Sequence, residues 1–203
     1  MLDKNPELIL DNDFTQINNE FLEKCPGIIL CSKPFLKSEF LKRLIDSQGI
    51  PIIFLDFDLL YSGYFISGMI KKNKDVKIFH PSRITWEKDL KEIIEKVSSE
   101  KVLVVLDSLN GIYNMFDELE SARFINAAIM LLSSVARTTK SLILVTAMVI
   151  KNENEEWILS PGGRHLMDSK KSGMYYLGMS ETSLILNSVD KKLQNGKSFE
   201  IKI

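Results

Sequence analysis

A lysine followed by a hydroxyl residue, Lys37-Ser38, lies where an apolar segment gives way to a helical pattern. Such a pair ends the phosphate-binding motif G-x-x-x-x-G-K-[ST], in which the lysine reaches the outer phosphates and the hydroxyl binds Mg²⁺. The eight positions here read Cys31, Ser32, Lys33, Pro34, Phe35, Leu36, Lys37 and Ser38. Both glycines are absent from this version. Three interpretations are open: a nucleotide site of unusual chemistry, a site that has lost its function, and a coincidence.

The substitutions within the motif predict a poor phosphate cradle. A phosphate loop works because successive backbone N–H groups converge on the anion. Pro34 has no N–H, and Leu36 places a side chain where glycine lets phosphate approach the backbone. Losing two or three donors would weaken binding by about two decades or more. We therefore expect no efficient ATP hydrolysis, and we expect Lys37 to be a solvated charge whose replacement by alanine changes stability little.

Carboxylates end two of the apolar segments that follow. Asp107 ends the segment "KVLVVLD", and Asp56 and Asp58 end "PIIFLDFD". An apolar strand ending in aspartate is typical of the residue that holds the Mg²⁺ of a nucleotide. Strand-end aspartates also commonly bind turns and helix N-termini, so Asp107 alone is compatible with both roles. We expect Asp107 to matter more to structure than to catalysis, as an acceptor for backbone N–H groups or for Ser38.

Apolar segments alternate with amphipathic helical patterns along most of the chain. Strands are predicted over residues 27–32, 51–57, 76–80, 101–108 and 141–149. Apolar strands separated by helices predict a parallel sheet that is covered on both faces. Three short segments near the end, "MYYLGM", "TSLILNSV" and "SFEIKI", predict antiparallel hairpins at one edge. The carboxyl ends of the parallel strands are then the expected ligand site.

Composition limits the classes of protein that this chain can represent. Its 203 residues are 45% hydrophobic and 26% charged, which suits one globular domain over residues 27–203 after an N-terminal extension of residues 1–26. A net charge of −1 argues against a global attraction to nucleic acid. No signal peptide and no apolar run of about 20 residues is found, so no membrane segment is expected. Cys25 and Cys31 are interpreted as free thiols in the cytoplasm.

The order of these features resembles the ATPase core of the RecA/RadA recombinase superfamily, closest in style to archaeal RadA paralogues and KaiC-like proteins. The resemblance runs from about Gly27 to Ile203. It rests on the Lys37-Ser38 loop and on the order of four segments: "IIFLDFD", "KVLVVLDSLNGIY", "LILVTAMV" and "SPGGRHLMDSKKSGMYYL". It implies a RecA-like α/β fold, a mostly parallel sheet flanked by helices, with C-terminal antiparallel hairpins.

The resemblance also implies roles for individual residues, should ATP and Mg²⁺ bind. Lys37 would contact the β- and γ-phosphates, and Ser38 and Asp107 would hold Mg²⁺. Asp58 would take the place of the catalytic glutamate that activates water, with a side chain one methylene shorter. Ala147 stands where recombinases carry a glutamine that senses the γ-phosphate, and alanine has no group for that task.

The family also binds DNA, through two loops that correspond to residues 110–121 and 151–164. Both loops are acidic in this chain, and carboxylates repel phosphates. Arg164, Lys170 and Lys171 lie just beyond the second loop and would form only a small basic patch, or ordinary solvated surface. DNA binding by the chain is therefore expected to be weak.

RecA-like domains assemble with the nucleotide site at the junction between neighbours. Aromatic residues near that edge, Tyr61, Tyr64 and Trp157, are predicted contacts to a second copy or to another RecA/RadA-like subunit, with core packing as the alternative. The sequence thus favours a degenerate RadA/RecA-like paralogue that acts through protein assembly, with accessory work in DNA recombination or repair as its setting. The alternatives are an ATPase with an atypical phosphate loop and a weak DNA-binding module.

Overall fold

The computed structural model describes residues 13–71, 73–116, 119–155, 157–159, 171–189 and 197–202. The helices are α1 (Asp13–Glu23), α2 (Pro34–Asp46), α3 (Leu60–Ile66), α4 (Trp86–Ser99), α5 (Leu109–Met115) and α6 (Leu119–Thr139). The strands are β1 (Gly27–Cys31), β2 (Ile52–Asp56), β3 (Val76–Phe79), β4 (Leu103–Asp107), β5 (Leu142–Lys151), β6 (Trp157–Leu159), β7 (Gly173–Met179), β8 (Ser183–Ser188) and β9 (Ser198–Lys202). Within these ranges no helix has both the length and the apolar character to cross a membrane.

The strands form one sheet in the order β3-β2-β4-β5-β1-β7-β8-β9, with β6 paired to β5. The neighbours from β3 to β7 are parallel, whereas β8 and β9 continue the sheet as antiparallel strands. The predicted fold, a mostly parallel sheet with C-terminal antiparallel hairpins, is confirmed. The six parallel strands β3, β2, β4, β5, β1 and β7 all end at the same edge of the sheet, which is called the carboxyl edge below.

Helices cover both faces of the sheet because successive side chains of each strand point to opposite faces. In β4, Val104 and Leu106 face the core beneath α4 and α6, whereas Leu103 and Val105 face the core beneath α1 and α2. Each fully buried aliphatic side chain contributes about 1.5–3 kcal/mol to folding. Burial on both faces therefore explains why the strand sequences are continuously apolar rather than alternating.

Helix α1 lies within the predicted N-terminal extension and packs against the sheet. Its buried residues Phe14, Ile17 and Phe21 follow the spacing of one helical face. Phe21 meets the ring of Tyr175 at 5.5 Å between centroids, and Glu20 accepts a 3.0 Å hydrogen bond from the Tyr175 hydroxyl. These contacts join α1 to the same hydrophobic core as α2.

Candidate functional site

The carboxyl edge brings together the three charged residues that the sequence analysis singled out. Lys37 Nζ lies 2.6 Å from Asp107 Oδ1 and 3.3 Å from Asp58 Oδ2. Strands β1 and β4 are separated by β5, so the aspartate at the end of β4 lies about 10 Å from the end of β1. The long Lys37 side chain, which starts from the first turn of α2, crosses the end of β5 to reach Asp107.

Lys37 is buried, with only 1% of its side chain exposed. The expectation of a solvated lysine is therefore wrong, because α2 packs against the sheet and directs this side chain inward. Burial lowers the pKa of Lys37, but Asp107 and then Asp58 outweigh that effect and raise the pKa above its usual value. The ammonium group is therefore a permanent positive charge that the protein neutralises with its own carboxylates.

Asp107 is the second buried member of this ion pair, also 1% exposed. Its Oδ1 atom accepts from Lys37 Nζ and, at 2.5 Å, from the Thr146 hydroxyl of β5. Burial raises the pKa of Asp107, and Lys37 and Thr146 counteract part of that increase. Asp107 is an acceptor as predicted, but the partner is not Ser38. The Ser38 hydroxyl instead donates to the Pro34 carbonyl at 3.2 Å.

The connection between β1 and α2 is shorter than the motif suggests. Strand β1 ends at Cys31 and α2 begins at Pro34, so only Ser32 and Lys33 lie between them. Proline at a helix start is favourable because the first helical N–H groups have no intrahelical partner. The Lys37 N–H donates to the Lys33 carbonyl, as in an ordinary first turn. Positions that would wrap around a phosphate in the motif are therefore helical.

Asp58 lies at the solvent side of the cluster. Its side chain is a quarter exposed, and Oδ2 accepts a 2.6 Å hydrogen bond from the Ser108 hydroxyl. A β-carbon added at Gly111 would lie 2.3 Å from Asp58 Oδ1 and 2.7 Å from Phe57 Cβ. The close approach of α5 to this loop therefore requires a glycine at position 111.

Sequence reasoning missed several residues that organise the site. Thr146 and Ser108 hydrogen-bond the two carboxylates, and Asn110 bonds both the N–H and the carbonyl of Met148. The signal available was their position directly after or within strand ends. Ala147, which was singled out, is buried on β5 and pairs with Leu30 of β1.

No group of three or more histidine, cysteine or acidic side chains suited to a metal occurs in the described part of the chain. The predicted Mg²⁺ ligands Ser38 and Asp107 are each engaged in the internal hydrogen bonds described above. Asp56 is buried and accepts from the Ser62 N–H at 2.7 Å, while its Oδ1 atom has no partner among the described residues.

The aromatic candidates differ in their surroundings. Tyr61 is 5% exposed and its ring stacks on Phe54 at 4.2 Å, so it packs in the core and its predicted interface role is corrected. Tyr64 is half-buried. Trp157 is half-buried, stacks on Tyr176 at 4.5 Å and lies beneath Lys151 Nζ.

Of the three predicted basic residues, only one falls within the described residues. Lys171 is exposed. Arg164 and Lys170 lie outside the described ranges, so their predicted role in a basic patch stays a prediction.

The burial of Tyr61 predicts a loss of stability in alkaline solution. Burial, with smaller effects from Asp46 and Asp56, raises the pKa of Tyr61 from 10.0 to about 12. Between these values the unfolded chain loses a proton that the folded chain keeps, so stability falls as pH rises, by at most about 1.4 kcal/mol per pH unit. In melting experiments from pH 9 to 12, Tyr61→Phe should lose less stability than the wild type. Tyr64→Phe, on the same helix, is the matched control, and equal pH slopes for both variants would contradict the assignment.

Comparisons with known proteins agree with the architecture. The chain resembles the ATPase domain of a helicase with a TM-score of 0.55 and 10% sequence identity, covering 93% of this chain and 86% of that chain. It resembles the RadB recombinase with a TM-score of 0.55 and 12% identity, covering 87% of this chain and 86% of that chain. No protein-family model and no curated protein sequence matches the chain. The structural likenesses confirm the predicted RecA-like fold.

Proposed function

We propose that this protein is a degenerate RecA-like subunit that acts through assembly with protein partners and not through ATP hydrolysis. The partners would be further copies of itself or RecA/RadA-like subunits, and the setting would be accessory work in DNA recombination or repair in the cytoplasm. One observation carries the proposal. The lysine that would contact phosphate is buried and neutralised by Asp107 and Asp58 of the same chain.

An internal ion pair competes directly with a nucleotide. To reach a phosphate, Lys37 would have to leave Asp107 and expose that carboxylate to a second negative group. Breaking a buried pair by removing one partner costs about 3–5 kcal/mol. That cost corresponds to about two to three and a half decades of affinity. A nucleotide would therefore need other strong contacts to bind.

The remaining residues do not supply those contacts. Pro34 has no N–H to donate, and the Leu36 side chain is buried in the core beside the loop. The Ser38 hydroxyl is occupied by the Pro34 carbonyl, and Ala147 has no polar group to sense a γ-phosphate. The residues present thus do not fit ATP with Mg²⁺, and we derive no catalytic step through either.

Two observations keep alternatives in view. Lys37, Asp58 and Asp107 do meet at one point, which favours an ATPase with an atypical loop as the second candidate. A DNA-binding module is the weaker candidate, since exposed Glu153 and Glu155 lie at the second predicted loop. Tyr64 and Trp157, both half-buried, remain our candidate contacts for a protein partner.

Calorimetric titration with ATP and Mg²⁺ tests the proposed function. We expect no binding tighter than about 1 mM, which corresponds to about 4 kcal/mol. Lys33→Ala is the matched control, because Lys33 is an exposed lysine in the same connection and would reveal a purely electrostatic attraction. Micromolar binding that survives Lys33→Ala and disappears in Lys37→Met would overturn the proposal in favour of the ATPase.

A further inference from the structure

Large apolar side chains are exposed along the carboxyl edge. Within the described ranges, six of them follow the ends of the six parallel strands: Ile84, Leu59, Phe124, Ile150, Phe35 and Met179. Ile84 is 94% exposed and Phe35 is 67% exposed, and the other four are about half exposed. One such residue therefore follows every parallel strand, in the order β3, β2, β4, β5, β1 and β7.

The elements of the fold place these six side chains on one continuous surface. Ile150 and Met179 lie on β5 and β7 beyond the residues that pair with Cys31, the last residue of β1. Phe35 lies in the first turn of α2, and Leu59 lies in the connection from β2 to α3. Phe124 is near the start of α6, which returns toward the opposite edge to begin β5.

The backbone at Leu59 adds an independent sign of function. Leu59 has φ of 57° and ψ of 14°, the left-handed region that bulky side chains rarely adopt. It is also exposed, so burial of its side chain does not offset the unfavourable backbone conformation. Unfavourable conformations of this kind concentrate at functional sites, where a contact to another molecule can offset them.

The size of the surface suits a protein partner. Six large apolar side chains at these exposures present on the order of 600 Å² of apolar surface. A stable complex covers about 800 Å² on each partner, somewhat more than half of it apolar. The carboxyl edge thus carries enough apolar surface for one complete interface.

The distribution of charge and of apolar residues favours a second copy of this chain. The edge carries both signs, with Lys33 and Lys171 exposed along with Glu153 and Glu155, so two copies need not repel each other. The net charge of −1 adds little repulsion.

A head-to-tail assembly would require a second, different patch on each molecule. The other large exposed apolar residues of the described ranges are Ile66 and Met69 at the end of α3 and Leu131 in the middle of α6. Helices α3 and α6 follow different strands and belong to opposite faces of the sheet, so these three do not form one patch. A single patch that contacts its own copy gives a closed, twofold-symmetric pair.

We propose that two copies of this chain pair through their carboxyl edges about a twofold axis and cover the Lys37–Asp107 site in both. The inference rests on the proposed function, because a site sealed by a second copy could not exchange nucleotide during turnover. It specifies the partner and the symmetry of the assembly.

Light scattering or sedimentation over about 1–200 μM protein tests the pair. The mass should rise from 23.2 kDa to a plateau at two chains. A mass that stays at one chain, or one that grows beyond two chains, would overturn the twofold pair.

Substitution locates the surface. Ile84→Lys should raise the dissociation constant at least about tenfold, since the substitution occurs twice in a symmetric pair. Leu131→Lys is the matched control and should leave the dissociation constant unchanged, because Leu131 lies away from the edge. Equal weakening by both variants, with both melting as folded proteins, would contradict the assigned surface.

The ATP titration separates failure of this inference from failure of the proposed function. A monomer that does not bind ATP overturns the pair and leaves another RecA-like subunit as the partner. Micromolar ATP binding overturns the proposed function whatever the mass, and with it the premise of the sealed site.

Discussion

Replacing Asp107 with asparagine should lower the free energy of unfolding by about 3 kcal/mol, because Lys37 then keeps a buried charge without its nearest counter-ion. For a chain of this length, that loss lowers the melting temperature by roughly 6–12 °C. Asp58 would remain 3.3 Å from Lys37, but its side chain is partly exposed and water screens its charge. The amide also carries no negative charge to offset the desolvation of the ammonium.

Thermal and denaturant melts without nucleotide measure this effect. Glu153→Gln is the control: it also removes one negative charge after the end of β5, but from an exposed residue, so its effect should stay within about 0.5 kcal/mol. Unchanged melting of Asp107→Asn together with abolished ATP turnover would show that Asp107 is catalytic and that the structural role is wrong.

Replacing Lys37 with methionine should destabilise the protein by about 3–5 kcal/mol. Methionine keeps most of the side-chain volume, so the main change is an Asp107 carboxylate buried without a cation. Burial already raises the pKa of Asp107, and removal of Lys37 removes the largest influence that opposes it. A carboxyl whose folded pKa lies above its unfolded value favours folding most at low pH and loses that contribution as pH rises. The deficit of Lys37→Met against the wild type should therefore shrink between pH 7 and pH 5.

The double variant Lys37→Met/Asp107→Asn separates charge pairing from packing. Both charges are then gone, and replacing a whole buried pair is often nearly neutral, so most of the lost stability should return. The two single losses would then exceed the double loss by about 2 kcal/mol or more. Additive losses, or a Lys37→Met deficit that does not change with pH, would mean that the two residues do not stabilise the fold as a pair.

The strands were predictable because their signal is local. Segments such as residues 101–108 are apolar at nearly every position, which only a strand covered on both faces accommodates at that length. The observed β4 and β5 fall within or next to the predicted ranges. The short elements were not predicted: α3 and α5 have seven residues each and β6 has three, too few for a period to be recognised.

The sequence by itself determined the class of fold and which residues stand at the ends of the strands. It placed Lys37, Asp58 and Asp107 at one edge, because parallel strands that connect through helices must end together. The tertiary structure alone decided what those residues do there. Lys37 is buried because α2 begins at Pro34, after only two connecting residues, and directs the side chain across β5 to Asp107. Burial depends on the packing of segments about 70 positions apart in the chain, and no local pattern of residue types records that distance.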